Sequence, residues 1–243
     1  MPKDPGPARQ SLIRAGERLF AERGIENVSL REINLAAGQR NSSALHYHFG
    51  SREKLLEEIL AQHAGEVREV RLAMLKEIEN GGPSDLRSVA LTIVRPLALP
   101  LDQGPSGRAF CRILPQVQTD PERNPKDLAH LIGDTARERS FRLLEPYCSG
   151  LPKLVLLERL YLSQLQLVYA IAARATHLAA LDGDSPPSSS AFFVSNLTDM
   201  FVGSLGAPVD RETLASMKQA VSSHGDPTLL ASRRSRSRKK ESQ

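Results

Sequence analysis

VSLREINLAAGQRNSSALHYHFGSREKLLEEIL, residues 28–60, is the spelling of two short helices and the beginning of a long one. Ser29-Leu30-Arg31-Glu32 is a capping box: the Ser29 hydroxyl accepts from the Glu32 N–H while the Glu32 carboxylate reaches back to the Ser29 N–H. Val28 before the cap and Ile33 after it are placed to pack as a hydrophobic staple. The helix then runs through Ile33 and Ala36 and stops at Gly38, where glycine takes the left-handed conformation without a Cβ clash. A tight turn at Gln39-Arg40 follows. Asn41, Ser42 and Ser43 are candidate caps for a second helix from Ala44 to Phe49, and Gly50-Ser51 ends it and caps the next.

Two short helices joined by a glycine-containing turn form a helix-turn-helix, whose second helix enters the DNA major groove. Leu45 and Phe49, four residues apart, anchor that helix inward. Arg40, Asn41, Ser42, Ser43, His46, Tyr47 and His48 are left at its start and outer face as hydrogen-bonding groups. Arg40, Asn41, Ser42, Ser43 and His46 are the candidates for base edges, since Arg pairs with guanine and Asn with adenine. Ser29, Arg31, Tyr47, His48, Arg52 and Lys54 complete the expected DNA contacts, with Ser29, Tyr47, Arg52 and Lys54 placed to hold phosphates at or beside helix starts.

On Ala37, Gly38, Leu45, Tyr47, His48, Phe49, Arg52, Glu53 and Leu55, and on the preceding Leu19-Phe20-x-x-x-Gly24, the segment resembles the DNA-binding domain of the tetracycline-repressor (TetR) family. The Gln39–Ser43 turn holds one residue more than the commonest family pattern, so the family's base contacts are not carried across it. The resemblance implies a dimeric transcriptional regulator, most often a repressor, that leaves an inverted-repeat operator when a small molecule binds.

Upstream, Met1–Pro7 reads as a mobile arm, and a first helix spans about Ala8 to Arg23, with Leu12, Ala15, Leu19 and Phe20 on one stripe. Leu19, Phe20, Ile25, Val28, Ile33, Leu45 and Phe49 then make a small core, too small to stand without a following helix. That helix carries Leu55, Leu56, Ile59, Leu60, Val67, Val70, Met74 and Ile78 up to Gly81-Gly82-Pro83. It is either a plain packed helix or, as the resemblance implies, the connector whose tilt answers a ligand. Ser84-Asp85 caps the next helix, in which Pro96 suggests a kink or an early stop. A loop from Pro100 to Gly107, a short helix around Phe110–Val117, a helix opening at Asn124-Pro125, a long one over Lys153–Leu181 and another over Phe192–Leu205 follow. Asp210 caps the last, Arg211 to about Ser223. No segment alternates with the period of a strand, so the fold class is all-α: a helix-turn-helix domain at 8–54, an effector-binding and dimerisation domain at 55–226, and a tail at 227–243.

The chain has 243 residues, 40% of them hydrophobic and 25% charged, which is the composition of a globular chain with ample core. No apolar run approaches the ~20 residues of a membrane span, and MPKDPGPARQ lacks a signal-peptide core, so a cytoplasmic location is expected. Cys111 and Cys148 are too few and too widely spaced for a disulfide framework or a CxxC metal site and read as buried reduced thiols rather than a redox sensor. The tail carries six cations (Arg233, Arg234, Arg236, Arg238, Lys239 and Lys240) against Glu241, which exceeds the net charge of +4 of the whole chain. It adds sequence-independent phosphate attraction or is simply solvated.

The long Lys153–Leu181 helix is apolar on more than one side, as is the Phe192–Leu205 helix. The pair resembles the family's dimer bundle; burial within a monomer is the alternative, and two-fold operators favour the homodimer. By resemblance the effector pocket falls among the helices after Leu55. Its candidate linings are Arg95, Phe110, Ile113, Leu114, Val117, Leu131, Leu165 and Tyr169, each of which also reads as plain core, and Arg95 and Arg112 suit a carboxylate or phosphate. No cofactor or metal is expected: His46 and His48 are two apart, whereas helical chelating pairs sit four apart. No nucleophile elbow, P-loop or dinucleotide fingerprint occurs, so the chain does not read as an enzyme. Two rivals stay open: a DNA binder without an effector, whose C-terminal bundle only dimerises or binds a protein, and a nonspecific binder driven by the tail.

Overall fold

A computed structural model describes residues 6–39, 44–119, 135–181 and 188–224. Residues 1–5 of the arm, the Arg40–Ser43 turn, the start of the helix expected at Asn124-Pro125 and the basic tail lie outside the described residues, while Pro7, expected in the arm, is the first residue of a helix. The described residues form α-helices and short 3-10 turns and no strand. In chain order the helices are α1 (Pro7–Arg23), α2 (Leu30–Ala36), α3 (Ala44–Phe49), α4 (Arg52–Glu79), α5 (Leu86–Ala98), α6 (Gly104–Gln118), α7 (Thr135–Leu144), α8 (Lys153–Ala180), α9 (Ser190–Gly206) and α10 (Arg211–His224).

The local signals explain the boundaries. Pro7 opens α1 with the fixed φ that suits a first turn. Ser51 caps α4 by accepting from the Lys54 N–H at 3.2 Å, and Asp85 caps α5 by accepting from the Ser88 N–H at 2.7 Å. The Asp85 carboxyl is held below its ordinary value by that backbone bond first and the Ser88 hydroxyl second. Asp210 accepts from the Glu212 N–H at 2.8 Å ahead of α10. The expected loop from Pro100 to Gly107 is instead a 3-10 turn, Leu99–Asp102, running into α6, which starts at Gly104 and is longer than its apolar spacing suggested. Pro105 at the start of α6 is tolerated because first-turn N–H groups need no intrahelical partner.

Pro96 does not end α5; it lies inside it. Its ring removes the N–H that would reach the Thr92 carbonyl four residues back. Arg71 of α4, 1% exposed, takes over by donating Nε to that carbonyl at 3.2 Å. The Thr92 hydroxyl, itself buried, lies 2.8 Å from both the Val89 carbonyl and the Ser140 hydroxyl of α7. A buried polar knot thus ties α4, α5 and α7 where proline would have left an unmet acceptor.

The seven residues expected to form the small N-terminal core are all buried, and their cluster continues without a break through α4, α5 and α6 to Leu205 of α9. α6 lies between α1 and α8, and α5 packs on α9. Gly107, buried on α6, is where that helix passes the preceding turn: a Cβ there would stand 2.0 Å from the Pro100 carbonyl oxygen. Gly107→Ala is therefore expected to destabilise the fold by about 1–3 kcal/mol, the cost of overpacking against backbone. Gly65→Ala in α4, where a Cβ meets nothing within 4 Å, should be neutral or stabilising when both variants are compared with the parent by denaturant titration.

Among the described residues α8 alone is long and apolar enough to cross a membrane by length and composition, although Glu158, Arg159 and Arg174 interrupt its apolar run. The reason is two-sided apolarity: Val155, Leu167, Val168, Ile171 and Ala175 are buried, while Leu157, Tyr161, Leu162 and Tyr169 are exposed. Arg159 of α8 donates to the Leu205 and Pro208 carbonyls at 3.3 and 3.2 Å, a cation set on the C-terminal end of α9. Pro152 sits at the cap of α8, one residue before its first turn.

Cys111 is fully buried and burial pushes its thiol up to about 12, and burial raises the Cys148 thiol as well. Neither has a disulfide partner. A thiol so raised carries almost no thiolate at neutral pH.

Candidate nucleic-acid interface

The capping box forms as its sequence spells it. The Ser29 hydroxyl accepts from the Glu32 N–H at 3.2 Å, and the Glu32 carboxylate accepts from the Ser29 N–H at 2.9 Å and from the Ser29 hydroxyl at 2.7 Å. Arg23 at the end of α1 pairs with the same carboxylate at 3.0 Å. Ser29 is thereby engaged within the protein. These bonds, the backbone one first and the hydroxyl second, hold the Glu32 carboxyl below its ordinary value of 4.5. A lowered carboxyl supports the fold above its unfolded value and loses that support as pH falls through the folded value. Amide-exchange protection of α2 should accordingly drop as the pH is taken below 4.5, and should be pH-independent over that window in Glu32→Gln.

α2 closes with paired bonds, Gly38 N–H to the Leu35 carbonyl and Gln39 N–H to the Asn34 carbonyl, each at 3.0 Å, with Gly38 at φ 68. This is the Schellman ending, and the left-handed residue in it is the expected glycine. Asn34, 3% exposed, then joins the two helices: its amide donates to the Leu30 carbonyl and its carbonyl oxygen accepts from the Leu45 N–H, each at 3.1 Å. A side chain of α2 thus satisfies a first-turn N–H of α3. The sequence reading passed over Asn34, although it stands on the inward stripe Leu30, Ile33, Asn34, Ala37, where a polar residue signals a buried partner.

With Leu45 and Phe49 buried, α3 turns His46 and Tyr47 outward, and Tyr47 is 85% exposed. His48 is half-buried, its ring 5.2 Å edge-on from Tyr47 and 6.3 Å from Phe49. Arg31 and Lys54 are exposed. Leu35, 79% exposed beside them on α2, is an apolar group the sequence reading did not single out. Arg40, Asn41, Ser42 and Ser43 lie outside the described residues. Arg52 is placed differently from its expected phosphate role: its guanidinium donates to the Glu26 carboxylate at 2.7 Å and to the Ile25 and Glu26 carbonyls at 3.2 and 3.3 Å. It pins the α1–α2 turn to the start of α4, because those carbonyls leave the end of α1 with no helical partner.

The effector candidates fall in different environments. Phe110, Ile113, Leu114 and Val117 are fully buried because α6 is enclosed by α1 and α8 and its apolar face is consumed by packing. Leu165 is half-buried, Arg95 and Tyr169 are exposed, and Leu131 lies outside the described residues. A cleft of about 860 Å³ opens elsewhere, between α1, the end of α2, the first half of α6 and the end of α8. At its edge Glu17 of α1, 3% exposed, meets His63 Nε2 of α4 and the Ser106 hydroxyl of α6, both at 2.7 Å. His63 stacks on Phe110 at 4.6 Å. The trio has the residue types of a hydrolytic triad but not its order: the Ser106 proton is directed to the carboxylate, and His63 is 3.4 Å from that hydroxyl. It is a three-helix clasp, and Gln116 repeats it by accepting from the Ile25 N–H at 2.9 Å and donating to the Phe20 carbonyl at 3.2 Å.

Residues 12–59, which contain this capped and clasped helix-turn-helix, match the family of bacterial regulatory proteins known as the tetR family. The N-terminal domain belongs to the tetR family. The transcriptional repressor KstR2 of Mycolicibacterium smegmatis is 36% identical over 59 residues, which are 24% of this chain and 28% of that protein. The transcriptional repressor AcnR of Corynebacterium efficiens is 32% identical over 65 residues, 27% of this chain and 34% of that one. The matched part thus spans about a third or less of these relatives' own length. A solved structure from Shewanella sp. PV-4, described as of a tetR family transcription regulator, shares the fold with a TM-score of 0.55. It is 16% identical, and the match covers 81% of this chain and 96% of that one. The tetR-family domain therefore sits on a helical body of the same architecture.

Proposed function

We propose that this chain is a dimeric transcriptional regulator, a repressor in kind, that reads an inverted-repeat operator with α3 and is released by a small molecule; it is not an enzyme. The observation that carries the reading is an α3 anchored by Leu45, Phe49 and the Asn34 cap, with Tyr47 and His46 projecting into solvent beside Arg31 and Lys54. An anchored helix with a polar, unpartnered outer face suits groove and phosphate contacts. His46 and the Arg40–Ser43 turn are the candidates for base edges, and Tyr47 and Lys54 for phosphates; Leu35 is suited to a thymine methyl. Both relatives are transcriptional repressors, which supports the sign of regulation.

Dimerisation is supported by the apolar groups that α8 and α9 leave exposed, namely Leu157, Tyr161, Leu162, Phe192 and Met200. A monomer gains nothing by keeping these in water, whereas a four-helix contact between two copies buries them. Sedimentation should give twice the chain mass.

The test of the reading is a selection of genomic fragments by the purified protein at near-physiological salt, followed by sequencing. A short inverted repeat among the retained fragments is the expected result; fragments without a common symmetric motif would sink it in favour of tail-driven binding. Tyr47→Phe, which removes one hydroxyl, should weaken every selected site alike by about 0.5–1.5 kcal/mol. A loss confined to certain operator bases would contradict its phosphate role.

A further inference from the structure

We propose that the cleft between α1, α6 and the end of α8 binds a small amphipathic anion, with a carboxylate or phosphate head on Arg108 and Arg112 and an apolar body along the cleft floor. Arg108 and Arg112 are one turn apart on α6, half-buried, and without a side-chain hydrogen bond or ion pair among the described residues. Arg14 and Arg18, one turn apart on α1, line the other wall. Among the described residues two carboxylates line the cleft with them, and both are engaged: Glu17 by Ser106 and His63, and Glu22 by Arg18 at 3.4 Å. Like charges at this helical spacing repel one another, so Arg108 and Arg112, with Arg14 and the Glu22-paired Arg18 on the facing wall, favour an incoming anion. The planar fork of Arg matches a carboxylate or phosphate in two-point contact, which a lone ammonium does not.

The rest of the lining is apolar and small, chiefly Ala15, Ala21, Ala109, Leu178 and Ala179. Short side chains make the space, and its volume of about 860 Å³ fits a molecule of cofactor or drug size. An inorganic ion would leave that floor wet, and a neutral hydrocarbon would leave the arginines unmet. The cleft also touches Glu17 and Ser106, two of the three groups that clasp α1 to α4 and α6. A ligand seated there bears on the contact between the helix-turn-helix and the helical body, and this consequence alone rests on the regulator reading.

Calorimetry on the full chain without DNA tests it, with octyl phosphate as the probe and octanol and inorganic phosphate as its two halves. Octyl phosphate should bind once per chain, at least about tenfold more tightly than either half, and Arg108→Gln/Arg112→Gln should cost about tenfold, the loss of charge-assisted paired bonds. Arg14→Gln/Arg18→Gln, altering the opposite wall, should weaken it several-fold, while Arg95→Gln, outside the cleft on α5, should change nothing. No saturable binding, or binding indifferent to all the cleft arginines, would overturn the proposal. So would a parent chain that ignores octyl phosphate while Arg108→Gln/Arg112→Gln loses DNA affinity, which would make the cleft a seat for DNA phosphates. Octyl phosphate bound as expected by a protein that selects no inverted repeat would leave the site standing and remove the regulator reading.

Discussion

Arg71→Ala is expected to melt about 10 °C below the parent chain, the shift that a loss of roughly 3–5 kcal/mol gives a protein of this size. Arg71 is the largest of the fully buried side chains, so truncation opens a cavity between α4 and α5. It also strips the Thr92 carbonyl of the Nε–H that replaces the missing donor of Pro96. An unmet buried acceptor costs about 1–3 kcal/mol of that total. Arg71→Met separates the contributions, because it refills most of the volume without restoring the donor. It should fall between the parent and Arg71→Ala in a thermal scan. A shift under about 2 °C for Arg71→Ala would show that the knot of α4, α5 and α7 does not carry the body's stability.

The second large effect is expected on DNA. Asn34→Ala removes the acceptor that meets the buried Leu45 N–H and the donor that meets the Leu30 carbonyl. α3 has six residues, too few to hold a helix by itself, so its order depends on that cap and on Leu45 and Phe49. Leaving the N–H unmet costs about 1–3 kcal/mol, paid locally by α3. Operator affinity should fall by about 5- to 150-fold at that cost, while the main thermal transition moves by only a few degrees. Asn34→Asp keeps an acceptor for Leu45 and should recover part of the affinity. If Asn34→Ala binds the selected operator as the parent does, the α2–α3 bridge does not position the reading helix.

The effect of Gly107→Ala belongs with these two in kind. It reports on contacts between segments that are distant from the recognition helix and that no local pattern announces.

What the sequence determined by itself was everything encoded within about one helical turn. The capping box at Ser29 and Glu32, the Gly38 stop, the caps at Ser51, Asp85 and Asp210 and the inward stripe ending in Leu45 and Phe49 are short-range rules. The all-α class and the anchored, polar-faced α3 followed from them. Tertiary structure alone decided where a polar group spends its hydrogen bonds, because the partner lies tens of residues away. Arg52 looks like a phosphate ligand from its place at a helix start, yet the carbonyls of Ile25 and Glu26 claim it. Asn34 looks incidental until Leu45 arrives beside it. Pro96 reads as a kink or an early stop until Arg71 supplies the donor it lacks. The apolar residues of α6 are buried only because α1 and α8 close over them, and a recess beside them is lined by arginines from α1 and α6. Periodicity ranks residues by polarity along one helix; which of two apolar faces is covered, and which cations converge, depends on how helices far apart in sequence come to pack.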